Sequence, residues 1–144
     1  MSDVSGPPFR ADHVGSLLRP PELLRARQGH RADRLSSEEL RRAEDTAISD
    51  AARMQQEIGL RGVTDGEFRR GSWHMDFLYQ IGGVAKTDTT LRIQFRNEAG
   101  PVEAALGAFR IGRRLGLDRT IFAEDFAHLK SVAPAGTIAK LTIP

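Results

Sequence analysis

Gly59-Leu60-Arg61-Gly62-Val63-Thr64-Asp65-Gly66-Glu67 decides the fold because of what stands directly before it. Apolar residues recur at Leu40, Ala43, Ala47, Ile48, Ala51, Met54 and Ile58, in steps of three and four that place them on one helical face. Arg41, Arg42, Glu44, Asp45, Asp50, Arg53 and Glu57 occupy the opposite face, which reads as solvated. Ser36-Ser37-Glu38-Glu39 fits a capping box: the Ser36 hydroxyl accepts from the Glu39 amide while the Glu39 carboxylate reaches back. The pattern predicts a helix over Ser37 to Ile58, and Gly59 stands where a helix end favours a left-handed residue. A short strand then begins almost at once and ends in a glycine turn that carries acids. A helix followed this closely by a strand is the second half of a βαβ unit.

Working outward, Arg10-Ala11-Asp12-His13-Val14-Gly15-Ser16 reads as a strand running into a loop, preceded by a polar leader over residues 1–9. Pro20-Pro21 stops one element and suits the first turn of the next, a short helix over Glu22 to Arg27. With a strand on each side of the long helix the order is β–α–β, and such a crossover is right-handed with parallel strands. Ser72 to Tyr79 holds the single Trp (Trp73) with His74, Asp76 and Phe77, an irregular or helical stretch. Leu91, Ile93 and Phe95 alternate with Arg92, Gln94 and Arg96, a half-buried strand pattern. Asn97 to Pro101 is a turn cluster, and 102–111 fits either a returning strand or a helix. Ala123 to Val132 is helical, with Phe122, Phe126 and Leu129 on one face. Pro134-Ala135-Gly136 breaks it, and Thr137 to Ile143 reads as a third, β-branched strand. A helix leading into such a strand belongs to a longer α/β array.

The 144 residues fit a single domain or part of one. With 40% hydrophobic and 28% charged residues the chain has the balance of an ordinary soluble protein. No apolar run approaches the ~20 residues of a membrane span, and the polar N-terminus lacks the apolar core of a secretory signal. The absence of cysteine rules out disulfides and any Cys-ligated metal site within these residues. These features fit a cytoplasmic protein. The net charge is +2, and the 18 Arg and 3 Lys lie scattered among acids. That distribution, without a clustered basic face or interleaved aromatics, argues against nucleic acid as a partner.

In parallel α/β folds the working residues lie at the C-terminal ends of strands. Two such ends are readable, His13-Val14-Gly15-Ser16 and Asp65-Gly66-Glu67. Adjacent parallel strands are about 4.8 Å apart, so neighbouring ends would set Ser16 and Glu67 on one rim. A hydroxyl among free amides suits a carboxylate, and a Glu suits an ammonium. Together they would grip an amino-acid zwitterion, although glycine-flanked Ser and Glu at strand ends also serve as turn formers and caps.

Phe9-Arg10-Ala11-Asp12-His13-Val14-Gly15-Ser16-Leu17-Leu18-Arg19-Pro20, Gly59 to Arg70 and Trp73-His74-Met75-Asp76-Phe77-Leu78 resemble the cobalamin-independent methionine synthase family, most closely its short bacterial paralogues built from the catalytic barrel alone. Ile121 to Lys130 and Lys140-Leu141-Thr142-Ile143-Pro144 continue the likeness, which is weakest over 80–115. The resemblance implies an α/β fold: the N-terminal portion, about three βα units, of a (β/α)8 TIM barrel, with an inserted hairpin-like excursion, over residues 1–144. It implies methyl transfer from a methyl-folate to the thiol of homocysteine, using zinc. It also implies that Val14, Gly15 and Ser16 bind the substrate backbone and that Glu67 contacts its amino group.

The family's zinc ligands, a His, two Cys and a Glu from later strands, have no counterpart here, so no catalytic and no metal-ligating residue is assigned. A free thiol has a pKa near ~8.5 and is mostly protonated at neutral pH, and zinc coordination is what makes it a thiolate. The expectation is therefore that this polypeptide alone is inactive. Its short parallel sheet would leave an unpaired edge, which favours self-association or a complementing chain. Other readings are alkyl transfer to a different thiol in a longer relative, or a non-catalytic piece that completes a barrel with a partner. His13 and His74 could approach each other, but two histidines make a poor zinc site. His128 is expected at the surface, Trp73 and Phe77 in packing. Arg69 and Arg70 either meet an anionic substrate or pair with Asp65 and Glu67.

Overall fold

A computed structural model describes residues 12–144, in two compact units. The leader and the expected strand start at Arg10 and Ala11 lie outside the described residues. One unit runs through Arg70 and resumes over Phe122–Ile143, and the other is Gly71–Ile121.

The first unit contains α1 (Pro21–Arg31), α2 (Ser37–Glu57), β1 (Gly62–Val63) and, after the second unit, an Ala123–Val132 helix and an Ile138–Ala139 strand. Pro21 opens α1 at the position where its missing N–H costs nothing. The capping box forms as expected: the Glu39 amide donates to Ser36 Oγ at 3.2 Å and the Ser36 amide to Glu39 Oε2 at 2.7 Å. Replacing Ser36 with Ala is expected to cost about 1 kcal/mol, read by urea unfolding, with Ser36→Asp near wild type. Gly59 ends α2 at φ +92°, the left-handed turn its position predicts.

The buried face of α2 is rotated from the apolar count. Ala47, Ile48, Ala51 and Ala52 are buried together with Glu44 and Gln55, while Met54 and Ile58 are exposed. The reason lies in the neighbours: basic side chains meet Glu44, and the end of β1 offers donors and acceptors to Gln55. Leu23, Val63, Phe68 and Leu129 complete the core around them.

The parallel pairing also differs. β1 pairs in parallel with the Ile138–Ala139 strand, Gly62 against Ile138 and Val63 against Ala139, so the second and third expected strands are the neighbours. The expected first strand does not form over 12–16. Gly15 adopts φ +122°, which breaks an extended run. Its backbone also comes so close that an added Cβ would lie 2.2 Å from Thr142 Cγ2. The segment attaches instead by single bonds, described below.

In chain order the remaining elements are α3 (Met75–Leu78), β2 (Gly82–Asn97), β3 (Gly100–Gly116), α4 (the Ala123–Val132 helix) and β4 (the Ile138–Ala139 strand). β2 and β3 form one long antiparallel hairpin, with a register irregularity between Lys86 and Thr90. Residues 102–111, open between strand and helix in the sequence, are strand because they pair with 84–95. The Asn97 side chain accepts from the Ala99 amide at 3.0 Å and closes the turn. The alternation holds, yet Ile93, Phe95 and Val102 are 37–50% exposed, since a two-stranded ribbon has no layer of its own to cover them. Trp73 is 59% exposed, which corrects its expected packing role, whereas Phe77 is half-buried.

Candidate functional site

Thr64-Asp65-Gly66-Glu67-Phe68 leaves β1 as a tight, fully buried turn. Asp65 Oδ1 accepts from the Glu67 amide at 2.9 Å, an Asx turn that helps to hold Gly66 at φ +65° and Glu67 at φ +58°. A left-handed backbone at a buried glutamate costs of order 1 kcal/mol and persists where the surroundings enforce it. Three guanidiniums do so here. Arg19 donates to the Glu67 and Arg70 carbonyls at 2.8 and 2.6 Å, and Arg27 donates to the Phe68 and Arg70 carbonyls. Arg70 donates to Glu67 Oε1 at 3.0 Å and to the Thr142 carbonyl, with its guanidinium 4.2 Å over the Phe122 ring. Phe122 is itself left-handed, at φ +56°.

The 12–17 segment joins this turn directly. Leu17 N–H donates to the Gly66 carbonyl at 3.1 Å, and the Thr64 hydroxyl donates to the Gly15 carbonyl at 2.8 Å. Lys140 donates to the Asp12 carboxylate at 2.6 Å and to the His13 carbonyl, and that ammonium holds the Asp12 carboxyl below the usual carboxylate range. The two strand-end segments are thus adjacent. Within them Val14 is 88% exposed, Ser16 is exposed, Gly15 is buried and Glu67 is 6% exposed. The Glu67 carboxylate is turned onto Arg70, and no hydrogen bond links it to Ser16 among the described residues.

The two arginines separate cleanly. Arg70 pairs with Glu67, as one alternative had it. Arg69 pairs instead with Glu44 at 3.1 Å, Asp125 at 3.0 Å and Asp45, a charge cluster that joins the turn to α2 and α4. His128, expected at the surface, is only 21% exposed and stands 3.3 Å from the Asp45 carboxylate in the same cluster. His13 Nε2 lies 2.9 Å from Gln55 Oε1, and His74 contacts Ser72 and the Trp73 ring in the second unit. Sequence reasoning missed Gln55 and Thr64, which tie α2 to the turn. The one available signal was a polar side chain at position 55, one residue from an apolar stripe.

Among the described residues no three His, Cys, Asp or Glu side chains converge as a metal site, and the sequence has no cysteine. The donor set that a thiol-activating zinc needs is therefore missing from these residues. In the second unit a cavity of about 600 Å³ is lined by Tyr79, Gly82, Gly83, Arg113, Asp118 and Arg119, among others. Asp118 already neutralises Arg113 there.

No family model matches the chain. It is 39% identical over 138 residues to the uncharacterized protein YxjG of Bacillus subtilis, covering 96% of this chain and 35% of that protein. A 5-methyltetrahydropteroyltriglutamate–homocysteine methyltransferase of Synechococcus is 32% identical over 85 residues, 59% of this chain and 11% of that one. Among solved structures, a Listeria monocytogenes protein described as a vitamin-B12-independent methionine synthase superposes with a TM-score of 0.73 at 35% identity, over 95% of this chain and 36% of its own. The chain is a distant homologue of cobalamin-independent methionine synthases. A B12-independent methionine synthase from Shewanella, solved in complex with selenomethionine, matches with a TM-score of 0.50 at 21% identity over 68% of this chain and 27% of its own, a likeness of fold. The chain spans about a third of the length of the Bacillus relative and of the Listeria structure.

Proposed function

We propose that this chain carries the amino-acid-gripping part of a methionine-synthase-like barrel, in which Val14, Gly15 and Ser16 receive the carboxylate end of a homocysteine-like substrate and Glu67 its ammonium. The observation that carries the reading is Glu67 itself. It is a buried carboxylate, held in left-handed backbone by three arginines, one backbone hydrogen bond away from the Gly15-Ser16 segment. The contact with Arg70 uses Oε1, and a carboxylate has acceptor sites for more than one donor, so an ammonium can share it. The exposed Ser16 hydroxyl supplies a donor for the opposite end of a zwitterion.

In this reading the whole assembly transfers a methyl group from a methyl-folate to the substrate thiol in methionine biosynthesis. Zinc would make the thiolate, held by residues that these 144 do not include. The chain alone then binds an amino acid without methylating it, and the missing barrel elements come from more polypeptide or from a complementing chain. The homology to a homocysteine methyltransferase and the fold shared with a selenomethionine-bound enzyme support this reading.

Calorimetric titration with L-homocysteine tests it. Saturable binding is expected, weakened about 10- to 100-fold by Glu67→Gln, the range for losing a hydrogen bond to a charged group. Equal binding by Glu67→Gln and wild type, or no saturable binding by wild type, rejects the assignment.

A further inference from the structure

The Thr64 side chain is fully buried and stands between the two strand-end segments. Its hydroxyl donates to the Gly15 carbonyl at 2.8 Å and accepts from the Gly66 amide at 3.3 Å. One hydroxyl proton and one lone pair therefore link the residue before Ser16 to the residue before Glu67.

The chemistry around Thr64 fixes which way that proton points. Gln55 Nε2 donates to the Ala51 and Thr64 carbonyls at 3.0 and 2.9 Å, which settles the orientation of the amide. Gln55 Oε1 is then an acceptor, and it takes the Thr64 amide at 2.9 Å. His13 Nε2, 2.9 Å from the same oxygen, must be the protonated ring nitrogen. Thr64 Oγ1 lies 3.4 Å from that oxygen, a long contact beside the short one to Gly15, so the hydroxyl proton goes to Gly15.

We infer that Thr64 is a positioning residue: its hydroxyl sets the spacing between Gly15-Ser16 and Gly66-Glu67, and so decides what length of ligand fits between them, with Gln55 and His13 holding Thr64 in place. This deepens the proposed amino-acid site and rests on that reading.

Thr64→Val keeps the shape and removes the hydroxyl, while Thr64→Ser keeps the hydroxyl and removes a buried methyl. The inference expects the two variants to separate in binding. At a temperature where both are folded, affinity for L-homocysteine should fall about tenfold in Thr64→Val and less than about twofold in Thr64→Ser, although both lose thermal stability, Thr64→Val by leaving the Gly15 carbonyl and Gly66 amide unpaired and Thr64→Ser by a methyl-sized void. Binding by Thr64→Val equal to wild type, or equal losses in both variants, overturns it. Amide exchange at Gly66 gives a readout without ligand: it should quicken in Thr64→Val and not in Thr64→Ser. If wild type binds no amino acid, the site reading fails on its own, and unchanged Gly66 exchange in Thr64→Val separately removes the spacer.

Discussion

Arg69→Met is expected to destabilise the first unit by about 3–5 kcal/mol, the cost of leaving buried charges without their partner. The Arg69 side chain is 6% exposed and Glu44 is 9% exposed, and the same guanidinium also serves Asp45 and Asp125. Arg27, 3.8 Å from Glu44, is the other cation within ion-pair distance of that carboxylate among the described residues and also serves the Phe68 and Arg70 carbonyls, while Arg41 stands 3.3 Å from Asp125. Burial already raises the Glu44 and Asp125 carboxyls above their ordinary values, with Arg69 as the leading counterweight. A carboxyl whose folded value is raised binds its proton more readily in the folded state, so its contribution to stability grows as pH falls through the window just above the usual carboxylate range. Removing Arg69 widens that window. The deficit of Arg69→Met should therefore be smaller at pH 5 than at pH 7.5, and Glu44→Gln in the same chain should recover part of it. Urea unfolding followed by helix circular dichroism is the measurement, since α1, α2 and α4 belong to this unit and Trp73 to the other. A loss below about 1 kcal/mol, the level of an exposed pair, or a deficit that grows in acid, would show that the cluster is not a buried one.

The second large effect is expected at Arg70. Both members of the Arg70–Glu67 pair are buried, at 4% and 8% exposure, so Arg70→Met leaves a carboxylate in the interior and again costs about 3–5 kcal/mol. The same change strips a donor from the Thr142 carbonyl and the cation from the Phe122 ring. A double variant separates these losses. Arg70→Met with Glu67→Gln removes the stranded charge and should be more stable than Arg70→Met alone, although still below wild type. If the double variant is the less stable of the two, Glu67 is not stranded by loss of Arg70, and the ion pair is not what holds the turn. Arg70→Lys keeps the charge without the fork and should fall between.

Local chemistry could be read straight from the residues. Ser36 and Glu39 build their cap within four residues, Gly59 ends α2 by its own conformational freedom, and Pro134 to Gly136 break the chain after α4. The α/β class and the position of the Asp65-Gly66-Glu67 turn followed from the same short-range rules. The alternation at 91–96 was also legible, whereas 102–111 was not, because an apolar run with no clear period becomes a strand only by finding a partner. The expected strand at 12–16 failed for a similar reason: a strand needs a ladder, and the Gly15 backbone breaks before one forms.

The sequence by itself determined where α2 and α4 lie and which acid closes β1, since those depend on groups a few residues apart, whereas α1 runs on to Arg31, four residues past its expected end. Tertiary structure alone decided that Glu44 and Gln55 face inward, that Arg69 joins α2 and α4, and that Thr64 is tied to Gly15. Glu44 and Arg69 lie 25 positions apart along the chain, Gln55 and Thr64 9, and Thr64 and Gly15 49. A buried polar group is stable only where such a distant partner arrives in hydrogen-bonding range, and nothing in a linear run of residues says which partner that will be.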